Sequence, residues 1–133
     1  MKSLLDVNIL LACGWRQHPF HSECIAWLDS LEAYTLCPIT ELGFLRISMS
    51  PAFGAPFADA MTVMRFISSS QRATHIACDQ PIGSMPGVTS YKDTTDAYLV
   101  NLADCHGHKL ATLDSGILNK PWAADIAFNP IRT

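Results

Sequence analysis

The sequence predicts an α/β fold, a parallel sheet of four or five strands with helices on both faces. Two observations carry this. Short apolar segments with β-forming residues alternate with segments whose apolar positions recur at helical spacing, and the alternation runs the length of the chain. The 133 residues, 49% hydrophobic and 16% charged, suit one folded domain spanning 1–133. No internal repeat, low-complexity tract or linker interrupts the pattern.

The elements follow in order. Residues 3–6 of "KSLLDVNILLA" read as a short buried strand, and Val7 to about Gly14 as a helix that Gly14 stops. In "HPFHSECIAWLDSL", Phe20, Cys24, Trp27, Leu28 and Leu31 fall at helical spacing, which predicts an amphipathic helix over 19–31. "YTLCP" is a second strand, ended near Pro38. "ITELGFLRISMS" is a helix with Thr40 as N-cap and Pro51 at its end. "PFADAMTVMRFISSS" is another, with Phe57, Met61, Met64 and Ile67 on one face. "THIAC" is a third strand, followed by a glycine- and proline-containing loop from Asp79 to about Lys92. "TTDAYLVNLADCHG" is the clearest helix. Leu99, Leu102, Ala103 and His106 share a face, and Gly107 suits the left-handed position after the last turn. "HKLATLD" is a fourth strand and "DIAFNPI" a weaker fifth.

Composition narrows the function. A net charge of −3 argues against a basic nucleic-acid-binding patch. It leaves nucleic acid open, because a bound divalent metal reverses the local sign. The five cysteines are an odd number and include no Cys-x-x-Cys pair. Each lies in or beside an apolar stretch, as buried, reduced thiols of a cytoplasmic protein do. No apolar run reaches the ~20 residues that span a bilayer. No signal peptide is expected from the Met1-Lys2 opening.

The acids carry the chemistry. In an open parallel sheet, functional groups gather beyond the carboxyl ends of the strands. Asp6 ends the first strand and Asp114 the fourth, while Glu41 and Asp96 each follow a threonine at a helix start. Those helix starts lie at the same edge, so all four carboxylates can meet at one rim. Each also has a plain alternative. Glu41 and Asp96 offset a helix N-terminus, Asp6 caps the helix from Val7, and Asp114 forms a turn before Ser115-Gly116. Asp93 is assigned to capping the Asp96 helix. Together the four acids would repel one another unless a cation sat among them. Carboxylate oxygens without thiol or imidazole at ligand spacing suit Mg2+ or Mn2+ and phosphoryl chemistry. Asn8 and Thr112 flank two of the acids and are expected to orient carboxylates or a metal-bound water.

These residues resemble a known family. "LLDVNILLA", "ITELGFLRI", "TTDAYLVNLA" and "KLATLD" stand in the order and spacing of the PIN-domain nucleases. The wording, above all "TDAYLVNLA" followed by "KLATLD", resembles the VapC-like toxins of bacterial toxin–antitoxin pairs. The likeness runs from about Leu4 to Leu118. It implies a three-layer α/β/α sandwich and a Mg2+- or Mn2+-dependent endoribonuclease that cleaves RNA phosphodiesters with a metal-activated water. It implies Asp6, Glu41, Asp96 and Asp114 as the acidic set, a small protein antitoxin that covers the site, and a homodimer. Arg46 in "FLRI" matches a frequent family arginine, for which contact with RNA or antitoxin competes with a surface salt bridge. Two departures stand out. The stretch between His75 and Tyr91 is shorter and less helical than the family's, and Ser115, Gly116 and Ile117 leave no further acid after Asp114.

Other groups are weighed the same way. His18 and His21 suit a metal pair or ordinary surface histidines, and His106 and His108 flank a helix end. Trp27 reads as core, while Trp15 and Trp122 lie near loops where interface or base contact is open. Arg16, Arg65, Arg72 and Lys120 either track phosphates or are solvated surface. Two rival functions remain: a haloacid-dehalogenase-like phosphatase and a non-catalytic metal-binding interaction domain. The first wants a second aspartate two residues after Asp6, where Asn8 stands.

Overall fold

A computed structural model describes residues 1–132 of the chain. Its strands are β1 (Ser3–Leu5), β2 (Tyr34–Leu36), β3 (Ala73–His75), β4 (Lys109–Ala111) and β5 (Ala127–Phe128). They form one sheet, ordered β3-β2-β1-β4-β5 and parallel throughout. The helices are α1 (Val7–Gly14), α2 (His21–Asp29), α3 (Pro38–Ser48), α4 (Phe57–Ser68), α5 (Thr94–Cys105) and α6 (Ser115–Leu118). Three short 3-10 turns, Ile82–Ser84, Tyr91–Asp93 and Pro121–Ala123, complete the chain.

Alternation along each strand sorts the core into two layers. Leu5, Tyr34, Leu36 and Ala111 face α1 through α4 with Ile9, Leu10, Cys24, Phe44 and Met64. Leu4 and Leu110 face α5 with Leu99, Leu102 and Ala103, and Ile117 of α6 joins them. The three-layer sandwich follows from strands that are apolar on both faces. At Gly43 the third helix comes so close to the first that an added Cβ would stand 2.6 Å from Val7 Cγ2. Gly107 has φ +70° and closes α5, with the His108 amide donating to Ala103 O at 2.8 Å.

Most elements fall where the pattern placed them, and the differences have local causes. α3 starts at Pro38 with Cys37 as N-cap. Proline suits the first helical position, so Thr40 lies inside the helix and its hydroxyl turns back to donate to Cys37 O at 3.1 Å. The third strand is Ala73–His75, and chain 76–78 continues only through Ile76 N donating to Leu36 O at 3.0 Å. Phe57, expected on the buried face of α4, is 56% exposed, and Ala60, Met64 and Ile67 carry that face. Asp93 precedes α5 without a side-chain cap bond; it pairs with Lys120 Nζ at 3.1 Å. Cys105 is exposed, against the expectation that every thiol is buried. Burial pushes the Cys13 thiol up to about 12 and the Cys24 thiol up to about 11, so both stay protonated at neutral pH. Among the described residues no helix is long and apolar enough to cross a membrane.

Candidate active site

Strand order reverses at β1: β2 and β3 are added on one side and β4 and β5 on the other. The crevice beyond the carboxyl ends of β1 and β4 is where such a sheet offers a site. Asp6 directly follows β1, and Asp114 stands three residues past the end of β4, at the start of α6. Asp96 joins them from the first turn of α5, the helix that leads into β4.

Asp6 is 5% exposed, and its carboxylate is held on both oxygens. Oδ1 accepts from the Val7 amide at 2.7 Å, which also caps α1. Oδ2 accepts from the Thr112 hydroxyl at 2.8 Å and, at 3.4 Å, from Asn8 Nδ2. Thr112 is fully buried, and its hydroxyl spends all it has. It donates to Asp6 and accepts from Asn8 Nδ2 at 3.0 Å and from the Asp114 amide at 3.1 Å. Asn8 Oδ1 accepts from the Leu113 amide at 3.0 Å. The network fixes the ends of β1 and β4 relative to each other and aims the Asp6 carboxylate. Asp114 caps α6, accepting from the Gly116 amide at 2.8 Å, and stays exposed.

The electrostatics bring three of the acids together. Burial lifts the Asp96 carboxyl from 3.8 to about 6, and the charges of Asp6, Asp114 and Asp93 add to the effect. Burial also raises Asp6; the Thr112 and Val7 hydrogen bonds oppose this, and the Asp114 charge adds to it. Glu41 lies in the first turn of α3 and is not among the charges acting on Asp6 or Asp96. Among the described residues no three His, Cys, Asp or Glu side chains are close enough, as they stand, to share one metal ion. The donor chemistry still fits a hard divalent cation: carboxylate oxygens gathered from separate elements, no thiolate or imidazole, and a mutual repulsion that a cation would relieve.

Asp93, expected to cap α5, instead acts on Asp96 through its charge, and its place three residues before Asp96 is the sequence signal for this. Arg46 is exposed in the last turn of α3 and makes no ion pair among the described residues. Arg72 does not face the rim. Its guanidinium donates to Leu28 O at 2.7 Å, in the last turn of α2, and to Leu31 O at 3.1 Å, just past that helix. His18 and His21 each use Nδ1 locally: His18 Nδ1 accepts from the Phe20 amide, and His21 Nδ1 bonds Ala12 O. Trp27 packs edge-on against Phe128, and Trp15 stacks on Phe44 while donating to Ser48 Oγ.

No protein-family model matches the chain. It is 33% identical over 124 residues to Ribonuclease VapC38 of Mycobacterium tuberculosis, covering 86% of each chain. Among solved structures it is similar to M. tuberculosis VapC20, described as a sarcin-ricin loop cleaving toxin, at 10% identity and TM-score 0.63, over 84% of this chain and 89% of that one. It is also similar to FitAcB from Neisseria gonorrhoeae at 24% identity and TM-score 0.62, over 96% and 97% of the two chains.

Proposed function

Since the chain belongs to the VapC-like PIN-domain ribonucleases, we propose that its acidic crevice hydrolyses RNA phosphodiesters with the help of Mg2+ or Mn2+, and that the protein is the toxin of a toxin–antitoxin pair. The observation that carries the metal reading is the convergence of Asp6, Asp96 and Asp114 from three elements, with Asp96 lifted to about 6 by burial and its acidic neighbours.

Asp6, Asp96 and Asp114 would hold the cation, with Glu41 reaching it directly or through water. When bound, the metal supplies an activated water and charge stabilisation for the departing oxygen. The chain's own part is positioning. Thr112 and the Val7 amide hold the Asp6 carboxylate so that it need not reorganise on metal binding. Asn8 ties that carboxylate to the Leu113 amide, one residue before Asp114. The half-buried Asp96, repelled by its neighbours, gains most from a cation. Net negative charge is no obstacle to RNA once the rim is neutralised.

The family also suggests a protein antitoxin that fills the groove beside the acids, a homodimer and a cytoplasmic setting. Arg46, exposed and unpaired among the described residues, is available to RNA or to that antitoxin. The phosphatase rival lacks its second aspartate: Asn8 holds that position, and its amide is committed to Thr112 and Leu113.

RNA cleavage by wild type, Asp96→Asn and Asp114→Asn, each with Mg2+, with Mn2+ and with EDTA, tests the reading. Wild type is expected to cut only with metal, and each variant to lose at least a hundredfold, on the order of 3 kcal/mol of barrier. Wild-type rates from Asp96→Asn, or full cutting in EDTA, would refute it.

A further inference from the structure

We propose that Trp122 and Lys120 form a nucleotide subsite on the flank of the acidic crevice, with a base of single-stranded RNA stacked on the indole and a neighbouring phosphate held by the lysine. The proposal rests on the ribonuclease reading above and extends it to how the substrate is gripped.

Both residues line a cavity of about 610 Å3 with Gly87, Thr89, Asp93 and Pro121. That volume is in the range of small-ligand clefts. The cavity reaches the start of α5 through Asp93, three residues before Asp96. The Lys120–Asp93 ion pair at 3.1 Å ties the chain leaving Asp114 to the start of α5, which carries Asp96. An ammonium has three donors, so two remain for a phosphate.

Trp122 is built as a firm platform. It sits in the Pro121–Ala123 turn, anchored by Ala123 at 1% exposure. One side of the residue packs against the core layer of Leu99 and Leu102, and it stays half-buried. The Trp15 indole N–H donates to Ser48 Oγ at 2.9 Å, whereas the Trp122 N–H donates to no group among the described residues. An aromatic surface with a free donor, next to a cation, matches single-stranded nucleic acid better than an apolar peptide. Stacking supplies sequence-tolerant grip, and the cation supplies a phosphate contact.

The test uses fluorescence anisotropy of a labelled, short 2′-O-methyl phosphorothioate RNA strand of mixed sequence with Mg2+. Wild type, Trp122→Ala, Trp122→Phe and Lys120→Met are compared, alongside cleavage kinetics on RNA. Trp122→Ala is expected to weaken probe binding roughly tenfold or more, with the loss falling on KM more than on kcat. Trp122→Phe should recover most of it, because a smaller ring still stacks. Lys120→Met should lower the salt dependence of log K by about 0.7. Trp122→Phe and Lys120→Met keep the test decisive if the alanine variant does not fold.

Binding and KM equal to wild type in the folded variants would overturn the subsite, as would a wild type that does not bind the probe. Loss of binding to a co-purifying protein partner with RNA binding intact would assign the surface to that partner and also overturn it. A wild type that binds the probe through Trp122 but cuts no RNA would support the subsite and sink only the ribonuclease reading. Normal cutting by all the variants would do the reverse.

Discussion

Asp6 is the residue on which the crevice turns. A carboxylate inside an apolar run had to be either partnered or costly, and it is partnered on both oxygens. Thr112→Val keeps the shape and removes the hydroxyl, leaving Asp6, Asn8 and the Asp114 amide each short of a partner. The expected loss is about 1–3 kcal/mol by urea unfolding, largely recovered in Thr112→Ser. Asp96 gives a pH prediction of opposite kind. Its folded value of about 6 lies above the ordinary 3.8, so the native state binds the proton more tightly than the unfolded chain. Metal-free stability therefore falls as pH rises from about 3.8 to about 6, and the loss persists at neutrality. Asp96→Asn should reduce that slope, leaving the part due to Asp6, and be more stable at pH 7 by on the order of 1 kcal/mol, the shift being discounted for a half-exposed group. A flat wild-type profile across that window would refute the crowded rim. Asp6, Asp96 and Asp114 were legible as candidates because strand ends and helix starts share an edge. The roles of Arg72 and Lys120 were not, because their partners lie far along the chain and helical or strand periodicity carries no information about them.

Helix and strand placement was legible where apolar spacing was strong, as in α5, and blurred at ends and edges. β3 shows why: an edge strand with exposed Thr74 and His75 has little apolar signal to mark its bounds. The packing of α1 against α3 was not legible either, since "ELGFL" reads as helix whether or not a neighbour touches the glycine. Gly43→Ala places a methyl 2.6 Å from Val7 Cγ2, so α3 must shift or Val7 must turn. The expected cost is about 1–3 kcal/mol, measured by thermal or urea unfolding. In a Val7→Ala background the same substitution should cost measurably less, and an unchanged cost would place the strain elsewhere. Arg72→Met tests another element. The guanidinium serves carbonyls at the end of α2 and lies over Tyr34, so its loss should destabilise by roughly 1–2 kcal/mol and leave RNA cleavage unaltered. A cleavage defect without a stability defect would return Arg72 to the substrate.

Across the whole molecule, the fold class was readable from alternation alone, while the sheet order β3-β2-β1-β4-β5 was not, because no local pattern says on which side of β1 the chain returns. That order sets the crevice, and a cation bound there should stabilise the entire domain. Mg2+ or Mn2+ at a hundred times its dissociation constant should add about 2.7 kcal/mol to wild type. The gain should be smaller in Asp96→Asn, as scanning calorimetry would show. Equal stabilisation of both proteins would place the ion elsewhere.

The Thr112–Asp6 bond joins positions 106 residues apart, and β1 pairs with β4 across the same separation. During synthesis the first strand therefore waits, one long edge unpaired, until most of the polypeptide has emerged. Every fragment that stops before Lys109 therefore lacks both the β4 partner of β1 and the Asp114 carboxylate, so a truncated product carries only part of the acidic crevice.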